Sequence, residues 1–452
     1  MANNTQQKII SLCKRRGFVF PGSEIYGGLA NTYDLGPLGV LMLRNITNSW
    51  WDFFVTRRPE IFGLDTSILM SPKVWEASGH TASFTNEMID CKACKFRTRA
   101  DHVIENYLES ISKPEVVDGR PSSELDKIIE VYKIPCPNCG EFNWTKTRKF
   151  NQLFETNVGI ITDSQSLVYL RGEIAQGMFV NFKNILDTMR PKLPFGIAQS
   201  GKAFRNEITL GDFIFRVLEF NLAEFEYFID PKKDNWKDVF NYWKEDMKKW
   251  ILSLGIDASK LRWRLHTDDE RAHYSTKTED LDFEFTVGFK ELFGIAYRTD
   301  FDLKNHMEKT GTDLRYTDPE TGEKFIPHVV EPTFGINRVL YALLINGFSD
   351  EGDRTVLRLH TSIAPFRYAV FPLVRNKPEL VEKARAVYNM LVARGLSVSW
   401  DDRGNIGKRY LAQDEIGTPE CITIDYQTLE DGTVTVRDRD TTDQERISID
   451  NL

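Results

Sequence analysis

The sequence lacks the segments that direct a chain into or across a membrane. Its opening, MANNTQQKII, has neither the basic region nor the apolar region of a secretory signal. No apolar run approaches the roughly 20 residues that span a bilayer. The longest candidates, VLYALLI and WWDFF, have the size of core segments. We therefore expect a cytoplasmic protein without a transmembrane helix.

Glycine loops that bind phosphate are also missing. The chain has no G-x-x-x-x-G-K-[ST] loop and no G-x-G-x-x-G after a strand, and no glycine loop precedes Gly201-Lys202. Any nucleotide must be bound by other groups. Arginines that project from a sheet are the obvious alternative, because a guanidinium donates two parallel hydrogen bonds to phosphate.

An excess of positive charge is absent as well. With 58 Lys and Arg against 66 Asp and Glu, the formal net charge is −8, which argues against a protein that coats nucleic acid through a basic surface. The charge is unevenly distributed, since residues 366–410 carry nine basic and four acidic side chains. A local basic patch therefore stays open as a nucleic-acid contact.

Cysteine is scarce, and its placement is specific. Four of the six cysteines form two C-x-x-C pairs, Cys91 with Cys94 and Cys136 with Cys139. In a cytosolic chain this grouping favours one structural zinc ion with four thiolate ligands. The 41 residues between the pairs exceed the usual spacing, so reduced cysteines without metal remain an alternative. A redox pair is disfavoured because neither C-x-x-C opens a βαβ unit.

A chain of 452 residues with 41% hydrophobic residues is large enough for two or three domains. Apolar residues at helical spacing predict helices over 35–58 and 173–189. A strand is predicted over 64–70, and a short helix begins at Pro72. Residues 86–149 combine both cysteine pairs with many charges and weak periodicity, so we interpret them as an insertion.

Strand patterns dominate after residue 195. FGIAQSGKAFRNE and FIFRVLEFNLAEFEYFI predict a wide antiparallel hairpin. If the second strand has no bulge, its period sets Arg216, Glu224 and Glu226 on one face. Further elements are predicted as strands over 281–287, 293–299 and 325–331, a helix over 334–346, and, after Pro365, the alternation of a small α/β domain: a strand, a helix over 378–394, a strand over 396–400, a helix over 408–416, and strands over 421–425 and 432–437.

Three arginines stand in extended motifs, Arg205 in FRNE, Arg216 in FIFRV and Arg338 in EPTFGINR. Together these segments resemble class II aminoacyl-tRNA synthetases, and the chain is similar to the homodimeric type of glycyl-tRNA synthetase. FRNEITLGDFIFRVLEFNLAEFEYF looks like motif 2, and EPTFGINRVL looks like motif 3. Five further segments resemble signatures of the glycyl enzymes: KVWEASGH (73–80), RGEIAQG (171–177), AHYS (272–275), RTDFDL (298–303) and DEIGTP (414–419). The similarity runs from about residue 18 to residue 440.

The resemblance implies a fold of α+β and α/β parts: an antiparallel class II synthetase sheet flanked by helices, an inserted zinc-ribbon-like region and a C-terminal α/β anticodon-binding domain. It divides the chain into an N-terminal catalytic part with motif 1 and the dimer interface (1–85), the insertion (86–149), the catalytic core with motifs 2 and 3 (150–364) and the anticodon-binding domain (365–452). The implied reaction forms glycyl-adenylate and pyrophosphate from glycine and ATP with Mg²⁺, then transfers glycyl to the 3′ end of its tRNA.

Adenylation joins two anions, so catalysis depends on charge neutralisation and positioning. By the resemblance, Arg205 is catalytic and bridges the α-phosphate and the glycine carboxylate, while Glu207 receives the adenine amino group and Phe220 stacks on adenine. Glu291 suits Mg²⁺, which prefers oxygen ligands. The implied ATP-binding set is Arg205, Asn206, Glu207, Phe215, Arg216, Phe220, Glu291, Leu292, Gly335 and Arg338.

Glycine has no side chain to grip, so its site must hold the ammonium and carboxylate and fill the space of a Cβ. The resemblance implies that acidic groups surround glycine, that arginines contact its carboxylate, and that a threonine replaces the usual serine. The implied glycine-binding set is Arg99, Glu173, Glu224, Arg298, Glu331 and Thr333.

The chain departs from the family pattern in the motif-2 loop, which reads TLGD over 209–212, at Leu218, where an arginine is frequent, and at Asn337, in place of a glycine or aspartate. One rival interpretation is a synthetase-like accessory protein that binds tRNA or DNA without aminoacylation. Such proteins tend to lose the motif arginines, which this chain keeps. A zinc-ribbon module unrelated to synthetases would explain only 86–149.

Overall fold

The computed structural model describes residues 2–115, 117, 119–160, 166–207, 213–267, 271–272 and 274–452. Its helices are α1 Ala2–Arg16, α2 Pro37–Trp51, α3 Pro72–Ala77, α4 His80–Ser83, α5 Ala100–Ser110, α6 Ser122–Tyr132, α7 Ala175–Val180, α8 Phe182–Met189, α9 Trp236–Ser253, α10 Phe301–Thr310, α11 Ile336–Gly347, α12 Pro378–Ala393, α13 Ile406–Ile416 and α14 Tyr426–Asp431. Its strands are β1 Val19–Pro21, β2 Tyr33–Leu35, β3 Ile61–Gly63, β4 Leu69–Met70, β5 Thr85–Asp90, β6 Arg97–Arg99, β7 Arg148–Asn151, β8 Glu155–Asn157, β9 Leu167–Leu170, β10 Phe195–Phe204, β11 Glu219–Ile229, β12 Leu261–Leu265, β13 Lys277–Phe285, β14 Gly288–Thr299, β15 Tyr316–Thr317, β16 Lys324–Phe325, β17 His328–Gly335, β18 Phe348–Asp350, β19 Thr355–Leu357, β20 Tyr368–Pro372, β21 Val398–Trp400, β22 Glu420–Ile424, β23 Thr433–Asp438 and β24 Gln444–Ser448. None of the described helices has the length and apolar content of a membrane span.

A seven-stranded sheet forms the centre of the molecule. Its strand order is β12-β13-β14-β17-β11-β10-β3, and every neighbouring pair is antiparallel except β3 with β10. Strand residues alternate between the two faces, so Glu224 of β11 and Glu331 of β17 lie on the face opposite Phe225 and Phe334. We call this the polar face, although at one end Phe195 and Phe228 pack there against α7 and α8. The predicted antiparallel sheet flanked by helices is confirmed.

Helices α2 and α9 cover the apolar face of this sheet. The Trp50 ring of α2 lies 6.4 Å from Phe225 and 5.8 Å from Phe334, and Trp250 of α9 lies 5.4 Å from Phe334 and 5.7 Å from Phe293. All five rings are fully buried. Large aromatic side chains bury more apolar surface than any others, so this layer anchors the apolar face of the sheet.

The predicted helix over 35–58 is confirmed as α2 followed by a π-helical turn, Asp52–Thr56. Pro37 is its first residue, where the missing N–H and the preset φ of proline favour helix initiation. The chain leaves the helix before Pro59, which cannot continue the hydrogen-bond ladder. A Cβ at Gly39 would lie 2.0 Å from the Phe18 carbonyl oxygen, so the helix needs glycine there to approach the segment behind α1.

The segment 86–149 contains more regular structure than its weak periodicity indicated. Strand β5 pairs with β6 and β7, and helices α5 and α6 pack with them around their own buried apolar cluster, which includes Ile89, Ile104 and Leu125. The two helices are each 11 residues long, so charged positions on their outer faces dilute the apolar pattern that identifies a helix.

Three predictions of local structure are wrong in detail. The helix over 173–189 is two helices, because the chain turns at Asn181, whose side chain donates to the Gly177 carbonyl oxygen at 2.9 Å. The strand over 64–70 is reduced to β4, after the separate strand β3. The second hairpin strand begins at Glu219, after a 3₁₀ turn. Arg216 is therefore outside the strand, and the two-residue period does not place it on the same face as Glu224.

The C-terminal region forms a second, five-stranded mixed sheet in the order β21-β20-β22-β23-β24. Strand β20 is parallel to β21 and β22, and β23 is antiparallel to its neighbours. The predicted α/β alternation is confirmed, with α14 and β24 as additional elements. Helix α13 joins this region to the core, because the fully buried Asp414 accepts hydrogen bonds from Arg354 at 2.8 Å and from Arg437 at 2.9 Å.

Candidate active site

A cavity of about 380 Å³ opens on the polar face of the seven-stranded sheet. The register sets Glu224 of β11 opposite Thr333 of β17, and Thr333 opposite Gly294 of β14, so these residues share one face. The cavity is lined by Glu173, Arg205, Glu207, Ile214, Phe215, Arg216, Val217, Phe220, Asn221, Leu222, Glu224, His266, Ala272, Tyr274, Thr278, Asp280, Glu291, Gly294, Ile295, Ala296, Glu331, Thr333, Gly335, Asn337 and Arg338. Arginines and phenylalanines line one part, and buried carboxylates line another.

Arg205 lies where the chain leaves β10. Its Nε donates to the Gly172 carbonyl oxygen at 3.0 Å, and its guanidinium lies over two aromatic rings, 5.1 Å from the centre of Phe84 and 5.4 Å from that of Phe220. Its backbone N–H donates to the Leu218 carbonyl oxygen at 2.9 Å. Aromatic faces attract a guanidinium, so these contacts hold a permanent positive charge at the cavity wall.

Arg338 supplies a second positive charge, from α11. Its Nη1 donates to the Glu291 carboxylate at 2.9 Å and to the Glu291 carbonyl oxygen at 3.1 Å, and its guanidinium lies 4.6 Å from the centre of the Phe215 ring. The neighbouring Asn337 accepts hydrogen bonds from the backbone N–H of Asn221 at 2.8 Å and from its side chain at 3.0 Å. These bonds tie the start of α11 to β11.

Three carboxylates, Glu173, Glu224 and Glu331, line the acidic part of the cavity. Glu173 is held by His80, whose Nε2 lies 3.1 Å from its carboxylate, and by Gln176, which donates to it at 3.0 Å. All three carboxylate side chains are buried. Buried carboxylates without full compensation create strong negative potential, which suits a small cationic ligand.

Arg298 is the central cation beneath these acids. Its Nη1 donates to Glu331 at 2.8 Å, and its Nε and Nη2 donate to the two carboxylate oxygens of Asp302, each at 2.8 Å. The Tyr274 ring lies over it, 3.7 Å from the guanidinium carbon. Arg298 does not line the cavity as described, so its predicted contact with a ligand carboxylate stays a prediction, and its observed partners are protein carboxylates.

The burial of these acids changes their titration. Burial, followed by the charge of Glu331, raises the pKa of Glu224 well above its usual value. Burial also raises the pKa of Glu331 to about 7, although Arg298 opposes the shift. Burial would raise the pKa of Glu173 too, but the charge and hydrogen bond of His80 lower it below its usual range. These shifts favour the ionised form of Glu173 and make the ionisation of Glu224 and Glu331 dependent on neighbouring donors and cations.

A further carboxylate faces the cavity from β13 and was not predicted. Asp280 is buried, and burial raises its pKa. It accepts hydrogen bonds from Arg264 at 2.6 Å and shares one with His266 at 2.7 Å. A Cβ at Gly294 would lie 3.6 Å from Asp280 and 4.0 Å from Glu291, so the two acids border the same space beside this glycine. The sequence signal was the acidic residue immediately before the strand segment LDFEF, two positions before Asp282.

The structure does not bring every predicted residue to the cavity. Asn206, Leu292 and Arg99 are not among the lining residues. Leu292 is fully buried in the apolar core, and Arg99 donates to the buried Asp101, with one hydrogen bond at 3.0 Å. The other predicted ATP and glycine residues line the cavity, apart from Arg298. The unusual motif-2 loop over 209–212 and residue 273 of the AHYS segment lie outside the described residues.

The four paired cysteines meet at one point in the segment 86–149. Their sulfur atoms all lie within 4.8 Å of one another, with 3.7 Å between Cys91 and Cys139 and 3.7 Å between Cys94 and Cys136. Bonds of about 2.3 Å to a tetrahedral zinc ion place sulfur atoms about 3.8 Å apart. A hydrogen bond from Asn138 contributes most to lowering the pKa of Cys94 to about 6.

The two cysteine turns have matching backbone geometry. The residues that follow each pair, Lys95 and Gly140, both have positive φ, 62° and 79°. In each turn the N–H of that residue donates to the carbonyl oxygen of the first cysteine, at 2.9 Å to Cys91 and 2.8 Å to Cys136. Two such turns that face each other suit a closed structural metal site with four thiolate ligands.

Two protein families match successive parts of the chain. Residues 160–346 match the family described as tRNA synthetase class II core domain (G, H, P, S and T), and residues 368–452 match the family described as anticodon binding domain. The chain is 50% identical to glycine--tRNA ligase of Geobacillus thermodenitrificans over 99% of its own length and 96% of the relative's. It is 49% identical to glycine--tRNA ligase of Caldanaerobacter subterraneus subsp. tengcongensis and 50% identical to that of Clostridium tetani, each over 99% of this chain and 97% of the relative.

Proposed function

Because the chain belongs to the glycine--tRNA ligase family, we propose that it activates glycine with ATP and transfers the glycyl group to the 3′ end of its tRNA. The observation that carries this function is the composition of the cavity. Arg205 and Arg338 on one part and Glu173, Glu224 and Glu331 on the other suit a polyphosphate beside a small ammonium ion. ATP and glycine would thus bind beside each other on one face of the sheet.

Arg205 is proposed as the catalytic residue. Attack of the glycine carboxylate on the α-phosphate brings two anions together, so a fixed guanidinium between them lowers the barrier by neutralising both. The Nε bond to Gly172 and the two flanking rings support this role, because they leave the guanidinium preorganised. A positive charge that is already in place costs no reorganisation during the reaction.

The rest of the predicted ATP set is proposed to hold the nucleotide. Phe220 would stack on adenine, Glu207 would accept from its amino group, and Arg216 and Arg338 would hold the outer phosphates or the ring. Glu291, with Asp280 beside it, would hold the Mg²⁺ that accompanies ATP and neutralises phosphate charge, since hard cations prefer carboxylate oxygen. The remaining proposed contacts are those of Asn206, Phe215, Leu292 and Gly335.

Glycine is proposed to bind with its ammonium among Glu173, Glu224 and Glu331. The firm ionisation of Glu173 supports this arrangement, because an ionised carboxylate attracts the ammonium most strongly. Packed carboxylates and Thr333 would also leave no room for a larger side chain, which makes selectivity steric. Arg298 acts here through Glu331, and Arg99 is proposed to contact the glycine carboxylate after a change of partner from Asp101.

We propose the domain division 1–85, 86–149, 150–364 and 365–452, with tRNA read by the last part. The mixed sheet and the anticodon-binding family match support this role for the C-terminal region. Residues 86–149 are proposed to bind one structural zinc ion through Cys91, Cys94, Cys136 and Cys139, which would supply folding energy to the segment. We further propose a cytoplasmic homodimer with motif 1 at its interface.

Glycine-dependent exchange of pyrophosphate into ATP, measured with each of the twenty amino acids, tests the activity. The wild-type protein should respond to glycine alone and should charge tRNA with glycine. Arg205→Ala should lose about 10²–10³ in rate, the usual effect of removing one preorganised charge donor. Arg262 is a matched control, because its guanidinium lies 4.1 Å from the centre of the Phe289 ring but outside the cavity.

The same assays also test the rival interpretation from the sequence, a catalytically inactive accessory protein. It binds tRNA but shows no exchange with any amino acid. Exchange within tenfold of wild type in folded Arg205→Ala, far less than the usual loss for such a donor, would instead contradict the role of Arg205 while leaving the activity established.

A further inference from the structure

Glu226 is a carboxylate that the proposed reaction does not use. It lies two residues after Glu224 on β11, on the same face of the sheet. The register that pairs Glu224 with Thr333 and Tyr227 with Val330 sets Glu226 across from Glu331. It is fully buried and does not line the cavity. Glu226 thus lies beneath two of the acids that we assign to glycine.

Both carboxylate oxygens of Glu226 lack a hydrogen-bond partner among the described residues. An oxygen of Glu226 nevertheless lies within 4.8 Å of oxygens from Glu224 and Glu331. A buried anion that is neither paired nor hydrogen-bonded is strongly disfavoured, and two anionic neighbours disfavour it further. A proton on Glu226 removes both penalties at once.

The charged groups around Glu226 do not offset a further negative charge. Arg298 is the one cation among the groups that act on it most, and its three hydrogen bonds go to Glu331 and Asp302. Glu331, Glu224 and Asp302 are all acidic and come from β17, β11 and α10. In agreement with this excess of acidic neighbours, burial and then the charge of Glu331 raise the pKa of Glu226 well above its usual value.

We propose that Glu226 is a positioning residue which stays a neutral carboxylic acid beneath the glycine site. Its O–H is a donor directed at the acid cluster, where it stabilises Glu224 and Glu331 in the ionised form that receives an ammonium group. An ionised Glu226 would instead repel them and favour their protonation. This inference rests on the proposed function, because it assigns Glu226 to the selectivity of that same site.

Two substitutions test the proposal. Glu226→Gln keeps the shape and a donor but cannot ionise, and Glu226→Leu keeps the volume without a donor. We expect the KM for glycine of Glu226→Gln to stay within about threefold of wild type and that of Glu226→Leu to rise about tenfold or more, the usual effect of losing a hydrogen bond to a charged group. The KM for ATP and kcat should change little in both variants.

Glu219 provides a matched control on the same strand, because it is exposed and pairs with Lys202 on the strand beside it. Glu219→Gln and Glu219→Leu should leave the KM for glycine unchanged. Thermal unfolding of every variant checks that it is folded. Equal impairment of Glu226→Gln and Glu226→Leu would overturn the proposal, since an ionised carboxylate would then be required; so would a Glu226→Leu variant with the KM of wild type, since Glu226 would then only fill space.

An infrared difference spectrum separates the proposal from the activity itself. At neutral pH the wild-type protein should show the carbonyl stretch of a protonated carboxylic acid that Glu226→Gln lacks. This band does not require turnover, so it is measurable even if glycine activation fails. A spectrum without the band would overturn the neutral state of Glu226, whereas a wild-type protein without glycine-dependent exchange would overturn the proposed function.

Discussion

Removal of the guanidinium of Arg298 should destabilise the core far more than removal of an exposed arginine with the same kind of contacts. Arg298 is completely buried, and its three hydrogen bonds to Glu331 and Asp302 are each 2.8 Å long. In Arg298→Met, these two buried carboxylates lose their shared cation. They must then stay charged without compensation or take up protons, and either change costs free energy.

The burial of Arg298 sets the expected loss in the free energy of unfolding. Loss of one partner of a buried ion pair lowers the free energy of unfolding by about 3–5 kcal/mol, so this is the expected effect of Arg298→Met. Arg298→Lys keeps the charge but not the planar fork that reaches both carboxylates. A loss of about 1.5–3 kcal/mol, equivalent to one hydrogen bond to a charged group, is therefore expected for it.

Arg315 serves as the control, since it donates two hydrogen bonds to Asp313, at 2.8 and 2.9 Å, but both side chains are 44% exposed. An exposed pair contributes less than about 1 kcal/mol, so Arg315→Met should have little effect. Urea unfolding followed by tryptophan fluorescence measures all three variants. Equal free energies of unfolding for Arg298→Met and Arg315→Met would refute the reasoning from burial.

Three further predictions concern the rest of the chain. Cys136→Ser should lose one zinc ion per chain, whereas Cys13→Ala should retain it. Metal analysis with thiol titration measures the bound zinc and the free cysteines. Four freely titrating cysteines without zinc in the wild type would contradict the site. Arg403, with 84% of its side chain exposed, should contact tRNA phosphate, so Arg403→Ala should reduce the slope of log affinity against log salt by about 1 and leave pyrophosphate exchange unchanged; an unchanged slope would place the tRNA elsewhere. Finally, the folded protein raises the pKa of Glu226, so it keeps a proton that the unfolded chain releases as the pH rises. Glu226→Gln should therefore gain stability relative to wild type by up to about 1.4 kcal/mol per pH unit above pH 4.5 and none below it. A pH-independent difference between the two proteins in urea unfolding would contradict this.

Local patterns in the sequence predicted most of the elements that build the site. The two-residue period of β11 placed Glu224 and Glu226 on one face, and that face is the polar one. The same argument failed for Arg216, because the chain enters a 3₁₀ turn before the strand begins. Periodicity reports which face of an element is buried, so it cannot detect where the element starts when apolar residues continue into the preceding turn.

The sequence by itself determined the family, the order of the motifs and the types of residue at the site. These follow from chemistry carried by short segments, such as the arginine in FRNE or the two C-x-x-C pairs, whose meaning does not depend on distant contacts. Only the tertiary structure decided that Arg298 binds Asp302 and Glu331 and that Asp280 faces Glu291 across Gly294. It also decided that Glu226 is buried without a partner among the described residues. Ion pairs and protonation depend on the register of strands that are far apart in the chain, and on the exclusion of water between them, and neither quantity is encoded in any one segment.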